Sequence, residues 1–232
     1  MKTVTQEEFN KIVENHNHWL KADCTGSENM KANFQEVELN HIVAQEGTYL
    51  CCVNFEGAVL KDVNFSFGDF RNCNFHNARL THVDFYKTNL CGSSFMYADF
   101  HNVILERSNL QNVDFSGAKN LPSPIDYLKQ HFEFVEDGVI VYKTFGSVRM
   151  IPDYWNIEVG SIITENCNTN RTDNFGSGIN VGILSCAEKF SGDIWKLLIR
   201  WEWLPGVVVP YNAEGQIRCE KAEIIEKVEI GR

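Results

Sequence analysis

Apolar residues recur at every fifth position through the middle of the first half of the chain. From Leu50 to Phe115, each fifth residue is Leu or Phe, fourteen times in succession. A period of five fits neither the 3.6-residue repeat of an α-helix nor the two-residue alternation of a β-strand. We therefore expect a structure that turns the chain once per repeat, as solenoids do.

The other positions of the repeat are also patterned. A small or β-branched residue stands two places before each Leu or Phe, and Asn or Asp often stands directly before it. This pattern resembles the pentapeptide-repeat family, whose consensus is A(D/N)LXX, and it is clearest in Val83-Asp84-Phe85, Ala98-Asp99-Phe100 and Ser108-Asn109-Leu110. The resemblance covers about 50–121, with outlying repeats at Phe34 and Leu39.

The resemblance implies a right-handed quadrilateral β-helix with four pentapeptides per coil. Residues twenty apart should then stack, which predicts a ladder of Phe55, Phe75, Phe95 and Phe115. Fourteen repeats make roughly three and a half coils, or about 17 Å of solenoid at the usual strand spacing. The eleven-residue step from Leu39 to Leu50 predicts a loop or bulge near Ala44–Gly47.

Both ends of such a solenoid need covers, because they expose strand edges and apolar core. Residues 5–21 have the signature of an amphipathic helix, with a capping box formed by Thr5 and Glu8. We expect this helix to cap the solenoid, and a partner-binding helix is the alternative. Leu121–Pro124 should end the repeat, and a short helix at Ile125–Phe132 is expected to close the coil.

The second half reads as a different domain, a β-rich α+β module with a short helix at Ser185–Phe190. The predicted divisions are 1–31 for the capping helix and lead-in, 32–121 for the β-helix and 125–232 for the C-terminal domain. The predicted strands are Val139–Phe145, Trp155–Thr164, Ile179–Leu184, Ile194–Trp203, Val207–Val209 and Glu223–Ile230.

Composition favours a cytoplasmic globular protein. Apolar residues make up 44% of the chain and charged residues 22%. No apolar run approaches the roughly 18–20 residues of a membrane span, and the N-terminus lacks a signal-peptide core. The eight cysteines include no CxxC spacing, so we expect reduced thiols.

Charge bears on the best-known activity implied by the resemblance, in which acidic pentapeptide rods mimic DNA and occupy DNA gyrase. The net charge of −10 argues against direct nucleic-acid binding. Residues 48–121, however, hold five Asp and two Glu against three Lys and three Arg, a net of −1. A short and nearly neutral rod makes gyrase mimicry only a second alternative.

No catalytic, nucleotide-binding or metal-binding motif is present, so we expect a non-enzymatic protein without a cofactor or a metal. The leading hypothesis is a protein-binding module that blocks a host enzyme or a defence complex. A homodimer is left open. The second half is similar to a small module of bacteriophage proteins of unknown function, through Gly176–Val181, the Trp-rich strand, Val208–Tyr211 and Arg218-Cys219, which favours a phage or prophage origin. The candidate binding residues on the outer faces are Lys61, Arg71, Tyr86, Met96, Tyr97, His101, Glu106 and Arg107.

A small-ligand site in the second half is the first alternative. The polar loop at 165–178 contains glycines that allow close backbone approach, and an arginine that can pair with an anion. With Arg171 on a phosphate and carboxylates on a ribose, a nucleotide is the natural ligand. The candidate residues are Glu165, Asn170, Arg171, Asp173 and Asn180.

Overall fold

The computed structural model describes residues 1–22, 24, 30–146 and 150–229. It divides the chain into two compact units, Met1–Pro122 and Ser123–Arg232. Both units are built mostly from β-strands, and each has its own apolar core.

The first unit is a β-solenoid of about three turns. Its five short strands form a parallel sheet in chain order. Residues twenty apart pair between neighbouring coils, as Leu60 does with Leu80 and Leu80 with Phe100. The strands are β1 (Lys2–Val4), β2 (Val37–Asn40), β3 (Val59–Asn64), β4 (Arg79–Asp84) and β5 (Asp99–His101).

Each position of the five-residue repeat has a physical role. The central Leu and Phe side chains from Leu50 to Leu110 are at most 1% exposed, and the last one, Phe115, is partly exposed. The preceding Asn or Asp accepts a hydrogen bond from the backbone two residues on, as Asn74 does from the amide of His76. The second residue after each central position, from Cys52 to Gly117, has a positive φ, which turns the chain.

The predicted phenylalanine ladder is present. The rings of Phe55, Phe75 and Phe95 are stacked with centroids 4.6 and 4.5 Å apart and planes within 6° of parallel. Phe115 continues the stack at 5.6 Å. On the other side, Phe34 lies 5.1 Å from Phe55, so the stack passes through every coil.

The bulge near Ala44–Gly47 is also confirmed. The offset between coils is 21 residues from Asn33↔Asn54 to Val43↔Asn64, and 20 residues from Tyr49↔Asp69 onwards. One extra residue therefore lies between Val43 and Tyr49. The apolar columns stay aligned because the coil absorbs this residue at a turn.

Helix α1 (Gln6–Lys21) has the predicted capping box, in which Thr5 and Glu8 each accept from the other's backbone. Its Phe9 ring stacks on Phe34 at 5.6 Å and on Phe65 at 6.1 Å. Strand β1, which precedes the helix and pairs in parallel with β2, was not predicted from the sequence.

The second unit contains an eight-stranded, largely antiparallel sheet. The strand order is β11-β12-β9-β7-β10-β13-β8, with β6 paired to β7. Its elements are α2 (Pro124–His131), β6 (Glu133–Val135), β7 (Gly138–Thr144), β8 (Ile162–Thr164), β9 (Ile179–Gly182), α3 (Leu184–Ala187), β10 (Ile194–Arg200), a 3₁₀ helix (Trp201–Gly206), β11 (Val207–Val208), β12 (Gln216–Cys219) and β13 (Lys221–Lys227).

Several predictions for this half were wrong in detail. Of the predicted strand Trp155–Thr164, only the last three residues form β8. The strand predicted to continue to Trp203 ends at Arg200, because a 3₁₀ helix containing Pro205 follows. The strands β6 and β12 were missed, and Ile230 of the predicted final strand lies outside the described residues.

The positions of two leucine side chains also differ from those predicted from the sequence. The helix expected to close the coil is α2, and its Leu128, with Phe132 just after it, joins the core of the second unit. Leu198 was expected on a partly exposed face of the Trp-rich strand, but it is only 6% exposed. β10 is an inner strand of the sheet, paired with β7 on one side and β13 on the other, so Leu198 does not lie at the sheet edge.

Candidate functional site

The eight outer residues predicted for the solenoid lie in several different columns on its surface. The residue directly after each central position forms one set of outer columns, and the next residue forms another. Because pairing is offset by twenty residues, Lys61 and His101 share a column, Tyr86 and Glu106 share a second, and Arg107 lies in the column next to them. The structure therefore brings together only part of the predicted set.

Tyr86 and Arg107 belong to a compact surface cluster with two residues that sequence reasoning missed, Phe67 and Lys87. The rings of Phe67 and Tyr86 meet edge to face with centroids 5.6 Å apart. The Lys87 ammonium lies 5.2 Å from the Phe67 centroid and 5.3 Å from that of Tyr86, and the Arg107 guanidinium lies 5.9 Å from the latter. We call these four residues the aromatic–cation patch.

The coil geometry explains why the patch forms here. Phe67, Lys87 and Arg107 are twenty residues apart, so they stand one above the other on three successive coils. All three have a positive φ, between 53° and 60°, which is the turning conformation of the repeat. Tyr86 stands in the adjacent column, where its ring can reach both Phe67 and the two cations. The signal in the sequence was the twenty-residue spacing of these outer positions.

The remaining predicted residues are engaged in separate local contacts. Arg71 forms an ion pair with Asp69, with Nη2 2.8 Å from Oδ2, and this carboxylate raises the pKa of the guanidinium. His101 lies 3.2 Å from Asp99, whose pKa is lowered mainly by a hydrogen bond from Asn120. Lys61 is exposed and Met96 is half-buried.

Tyr97 forms a second exposed aromatic position, away from the patch. Its ring lies 5.4 Å from that of His76. It also fills the space beside Gly117, where a Cβ would be 2.5 Å from the Tyr97 ring. The small residue on the next coil therefore makes room for this tyrosine.

The second unit contains a cavity of about 690 Å³. Residues from β7, β9, β12 and α3 line it, together with the segments around Trp155 and Phe175. Glu165 and Asn180 of the predicted ligand site are among these lining residues, whereas Asn170, Arg171 and Asp173 are not. The structure therefore separates the predicted five residues into two groups.

Arg171, predicted to hold a phosphate, has structural partners instead. Its Nε donates to the carbonyl oxygen of Val209 at 2.7 Å, and its guanidinium lies 4.0 Å from the ring centroid of Tyr211. Burial lowers the pKa of this guanidinium. These contacts hold the polar loop against the segment after β11.

The polar loop owes its shape to Arg218, which sequence reasoning did not single out as a site residue. This side chain is fully buried and donates to three backbone carbonyls, those of Asn168 at 3.3 Å, Asp173 at 2.6 Å and Asn170 at 2.7 Å. The Asp173 carboxylate in turn accepts from the side chains of Asn168 and Asn170. Asn170 and Asp173 therefore serve the internal order of the loop.

The two predicted residues that do line the cavity are also fixed by hydrogen bonds. Asn180 donates to the carbonyls of Gly176 and Gly178, both at 3.1 Å. Glu165 accepts from the Tyr154 hydroxyl and from the Asn166 amide, and these bonds lower the pKa of its carboxyl group. Glu165 is therefore a carboxylate at neutral pH.

The described residues contain no group of three or more His, Cys, Asp or Glu side chains arranged to hold a metal ion. Within the same part of the chain, none of the helices is long and apolar enough to cross a membrane.

Comparison with protein families agrees with the geometry of the first unit. The family model for pentapeptide repeats matches residues 46–77 and 73–112, in eight copies. These residues are therefore pentapeptide repeats, which confirms the resemblance for this part of the chain. A comparison with curated proteins found no match.

Solved structures similar to this chain include two cyanobacterial pentapeptide repeat proteins. Rfr23 from Cyanothece 51142 is 23% identical with a TM-score of 0.36, and the match covers 38% of this chain and 58% of that one. HetL from Nostoc sp. strain PCC 7120, described as involved in heterocyst differentiation regulation, is 15% identical with a TM-score of 0.37, over 39% and 44% of the two chains. The match thus spans about half the length of these two proteins.

A third similar structure is QnrB1, a plasmid-mediated fluoroquinolone resistance protein. It is 19% identical with a TM-score of 0.23, and the match covers 39% of this chain and 61% of that one.

Proposed function

We propose that this protein is a non-enzymatic binding protein whose aromatic–cation patch docks onto a partner protein. The observation that carries the proposal is the clustering of Phe67, Tyr86, Lys87 and Arg107 on three successive coils. Aromatic residues and arginine are enriched where protein interfaces gain most of their binding energy. Here the two kinds of side chain lie together on a rigid β-scaffold.

The patch is also prepared for contact before a partner arrives. Phe67 is 41% exposed, a large fraction for an aromatic side chain. The cationic groups of Lys87 and Arg107 lie less than 6 Å from the ring centroids of the patch, a distance at which cation–π contacts are stabilising. A surface whose side chains are already ordered loses less conformational entropy on binding. We therefore expect a partner that presents carboxylates beside an apolar patch.

The wider proposal concerns the architecture and the setting. The solenoid would be a right-handed quadrilateral β-helix over 32–121, capped by the N-terminal segment 1–31 and followed by a separate domain at 125–232. The contact of Phe9 with Phe34 and Phe65 supports the capping role of α1. The resemblance of the second half to phage modules supports a phage-encoded protein that blocks a host enzyme or defence complex in the cytoplasm.

Mimicry of DNA at gyrase remains an alternative with a different charge requirement. A DNA mimic needs a continuous negative surface, whereas Lys87 and Arg107 place two cations on one outer face. The small net charge of residues 48–121 and the two cations of the patch therefore favour a protein-docking surface over DNA mimicry.

The test is a nuclease-treated pull-down from bacterial lysate with the full-length protein as bait. The patch variant combines Phe67→Asn with Arg107→Asn, since asparagine tolerates a positive φ and should preserve the coil. The matched control is His82→Asn, which removes an exposed imidazole ring from the same repeat position at φ 52° and outside the patch. We expect a stoichiometric partner that the control retains and the patch variant loses by at least about tenfold.

Equal retention by the patch variant and the wild type would exclude this surface. Loss with both variants would show that the interaction is not specific to the patch. Recovery of gyrase by the wild type would support the DNA-mimic alternative.

A further inference from the structure

We propose that the cavity of the second unit binds a flat aromatic small molecule that carries a single carboxylate. This inference is independent of the function proposed for the solenoid. It rests on three observations within the second unit: a cavity beside the single pairing position of two strands, aromatic walls, and a lysine among the described lining residues.

The cavity lies beside the contact between β7 and β9. These strands share one register pair, Tyr142↔Gly182. Both residues of this pair line the cavity, as do Lys143 and Thr144 of β7 and Asn180 and Val181 of β9. The place where the two strands meet therefore forms one wall of the cavity.

The walls are predominantly aromatic and apolar. Phe145, Trp155, Phe175 and Phe190 line the cavity with Val181 and Pro152. Phe145 and Trp155 meet edge to face at 6.1 Å, and the Trp155 indole is anchored by its Nε1, which donates to the Thr164 carbonyl at 2.8 Å. Fixed aromatic rings favour a flat ring that can stack on them. A volume of about 690 Å³ lies within the range of small-molecule sites.

Charge selects the functional group of the ligand. Among the described lining residues, Lys143 is the only lysine or arginine and Glu165 is the only acid. The Lys143 ammonium lies 3.0 Å from the Asn180 carbonyl oxygen, and 5.5 and 5.9 Å from the centroids of Phe145 and Trp155. These contacts place a positive charge beside the aromatic walls. A carboxylate attached to an aromatic ring would form an ion pair with the Lys143 ammonium while the ring stacks on the aromatic walls.

The same geometry disfavours the nucleotide expected from the sequence. A phosphate group carries more charge than the one lysine among the described lining residues balances, and phosphate sites commonly use arginine pairs or backbone amides. Arg171 and Arg218 both bind backbone carbonyls and neither lines the cavity. The Glu165 carboxylate, which does line it, repels any anion, so it disfavours a doubly charged phosphate more strongly than a single carboxylate.

The test uses the full-length protein, 2-naphthoate as probe and 2-naphthamide as its neutral counterpart, measured by isothermal titration calorimetry. AMP forms a third arm. We expect 2-naphthoate to bind with one-to-one stoichiometry, at least about tenfold tighter than the amide, as one charge-assisted hydrogen bond implies. AMP should bind more weakly than 2-naphthoate.

The variant Lys143→Met should reduce the preference for the acid over the amide to about one. The matched control is Lys196→Met on β10, because Lys196 pairs with Glu226 at 3.4 Å and does not line the cavity. This control should keep the tenfold preference. If Lys143→Met does not fold, Lys143→Gln replaces it, and the wild-type comparison of acid with amide remains decisive.

Three results would overturn the proposal. The first is the absence of 2-naphthoate binding to the folded wild type at millimolar concentration. The second is equal affinity of the wild type for the acid and the amide, or a preference that survives in Lys143→Met. The third is tighter binding of AMP than of 2-naphthoate, which would identify a nucleotide site.

Discussion

The Nε2 atom of His16, in helix α1, lies 3.1 Å from the carbonyl oxygen of Cys51 in the solenoid. The other ring nitrogen, Nδ1, accepts from the amide of Ala32 at 3.2 Å. Because an amide can only donate, these bonds assign the neutral tautomer with its proton on Nε2. The ring is fully buried, so one imidazole ties the helix to two segments of the solenoid.

This arrangement predicts a stability that depends on pH. Burial lowers the pKa of His16 below its ordinary value of 6.5, and the charge of Lys31 acts in the same direction. The unfolded chain therefore takes up the proton first, and the free energy of unfolding should decrease as the pH falls below about 6.5. Denaturant unfolding at a series of pH values between 5 and 8 measures this dependence.

The matched control for this prediction lies on the same helix. His16→Gln should lower stability by about 1–3 kcal/mol, through its lost hydrogen bonds, and flatten the dependence between pH 5 and 7. His18→Gln changes an exposed histidine and should leave the dependence intact. An unchanged slope in His16→Gln would show that other groups cause it.

The phenylalanine ladder predicts a steep cost for truncation inside the stack. Phe75 is fully buried between Phe55 and Phe95, so Phe75→Ala should lower the free energy of unfolding by about 3–5 kcal/mol. Phe75→Leu keeps most of the volume and should cost less than about 1.5 kcal/mol. Phe67→Asn on the surface removes one aromatic contact and one cation contact, so it should cost no more than about 1.5 kcal/mol. Similar losses for Phe75→Ala and Phe67→Asn would contradict the stacked core.

The buried Arg218 predicts a local opening of the polar loop. Arg218→Met removes three hydrogen bonds to carbonyls of the loop, so we expect a loss of about 2–4 kcal/mol. Hydrogen exchange of the amides at 166–175 should accelerate at the same time. Arg200→Met is the control, because it removes a partly exposed pair with Glu223 and should leave loop exchange unchanged.

The cysteines should differ in their reaction with iodoacetamide at pH 8. Cys24 and Cys52 are exposed, whereas burial raises the pKa of Cys51 to about 11. Burial also raises the pKa values of the enclosed thiols of Cys73 and Cys219. Peptide mapping of the folded protein should show fast modification of the first two and protection of the others. Protection that persists in denaturant would point to a covalent cause rather than to burial.

The features that sequence reasoning found correctly are those encoded locally or by a fixed period. The ladder from Phe55 to Phe115 follows from the twenty-residue coil, and the start of α1 follows from Thr5 and Glu8. The same coil length would have placed Phe67, Lys87 and Arg107 in one column. The sequence does not mark these residues as a group, because the turning positions from Cys52 to Gly117 have no common side-chain type.

The second unit was less predictable because its decisive contacts join distant parts of the chain. Arg171 has the charge of a ligand residue, but Val209, thirty-eight residues further on, accepts its hydrogen bond. The cavity is lined by residues from distant segments, among them Tyr142, Trp155 and Gln216, which no local pattern brings together. Pro205 was a usable signal that the Trp-rich strand ends early.

The twenty-residue offset from Tyr49 onwards has a consequence for how such a protein can lengthen. Duplication of one complete coil would insert twenty residues, return the chain to the same row and extend every apolar column by one ring or leucine. Duplication of a single pentapeptide between Phe67 and Arg107 would move each later residue to the neighbouring column, so that Phe67, Lys87 and Arg107 would no longer share one column. Changes in length during evolution should therefore be tolerated in whole coils, because the columns on both sides of the insertion stay in register.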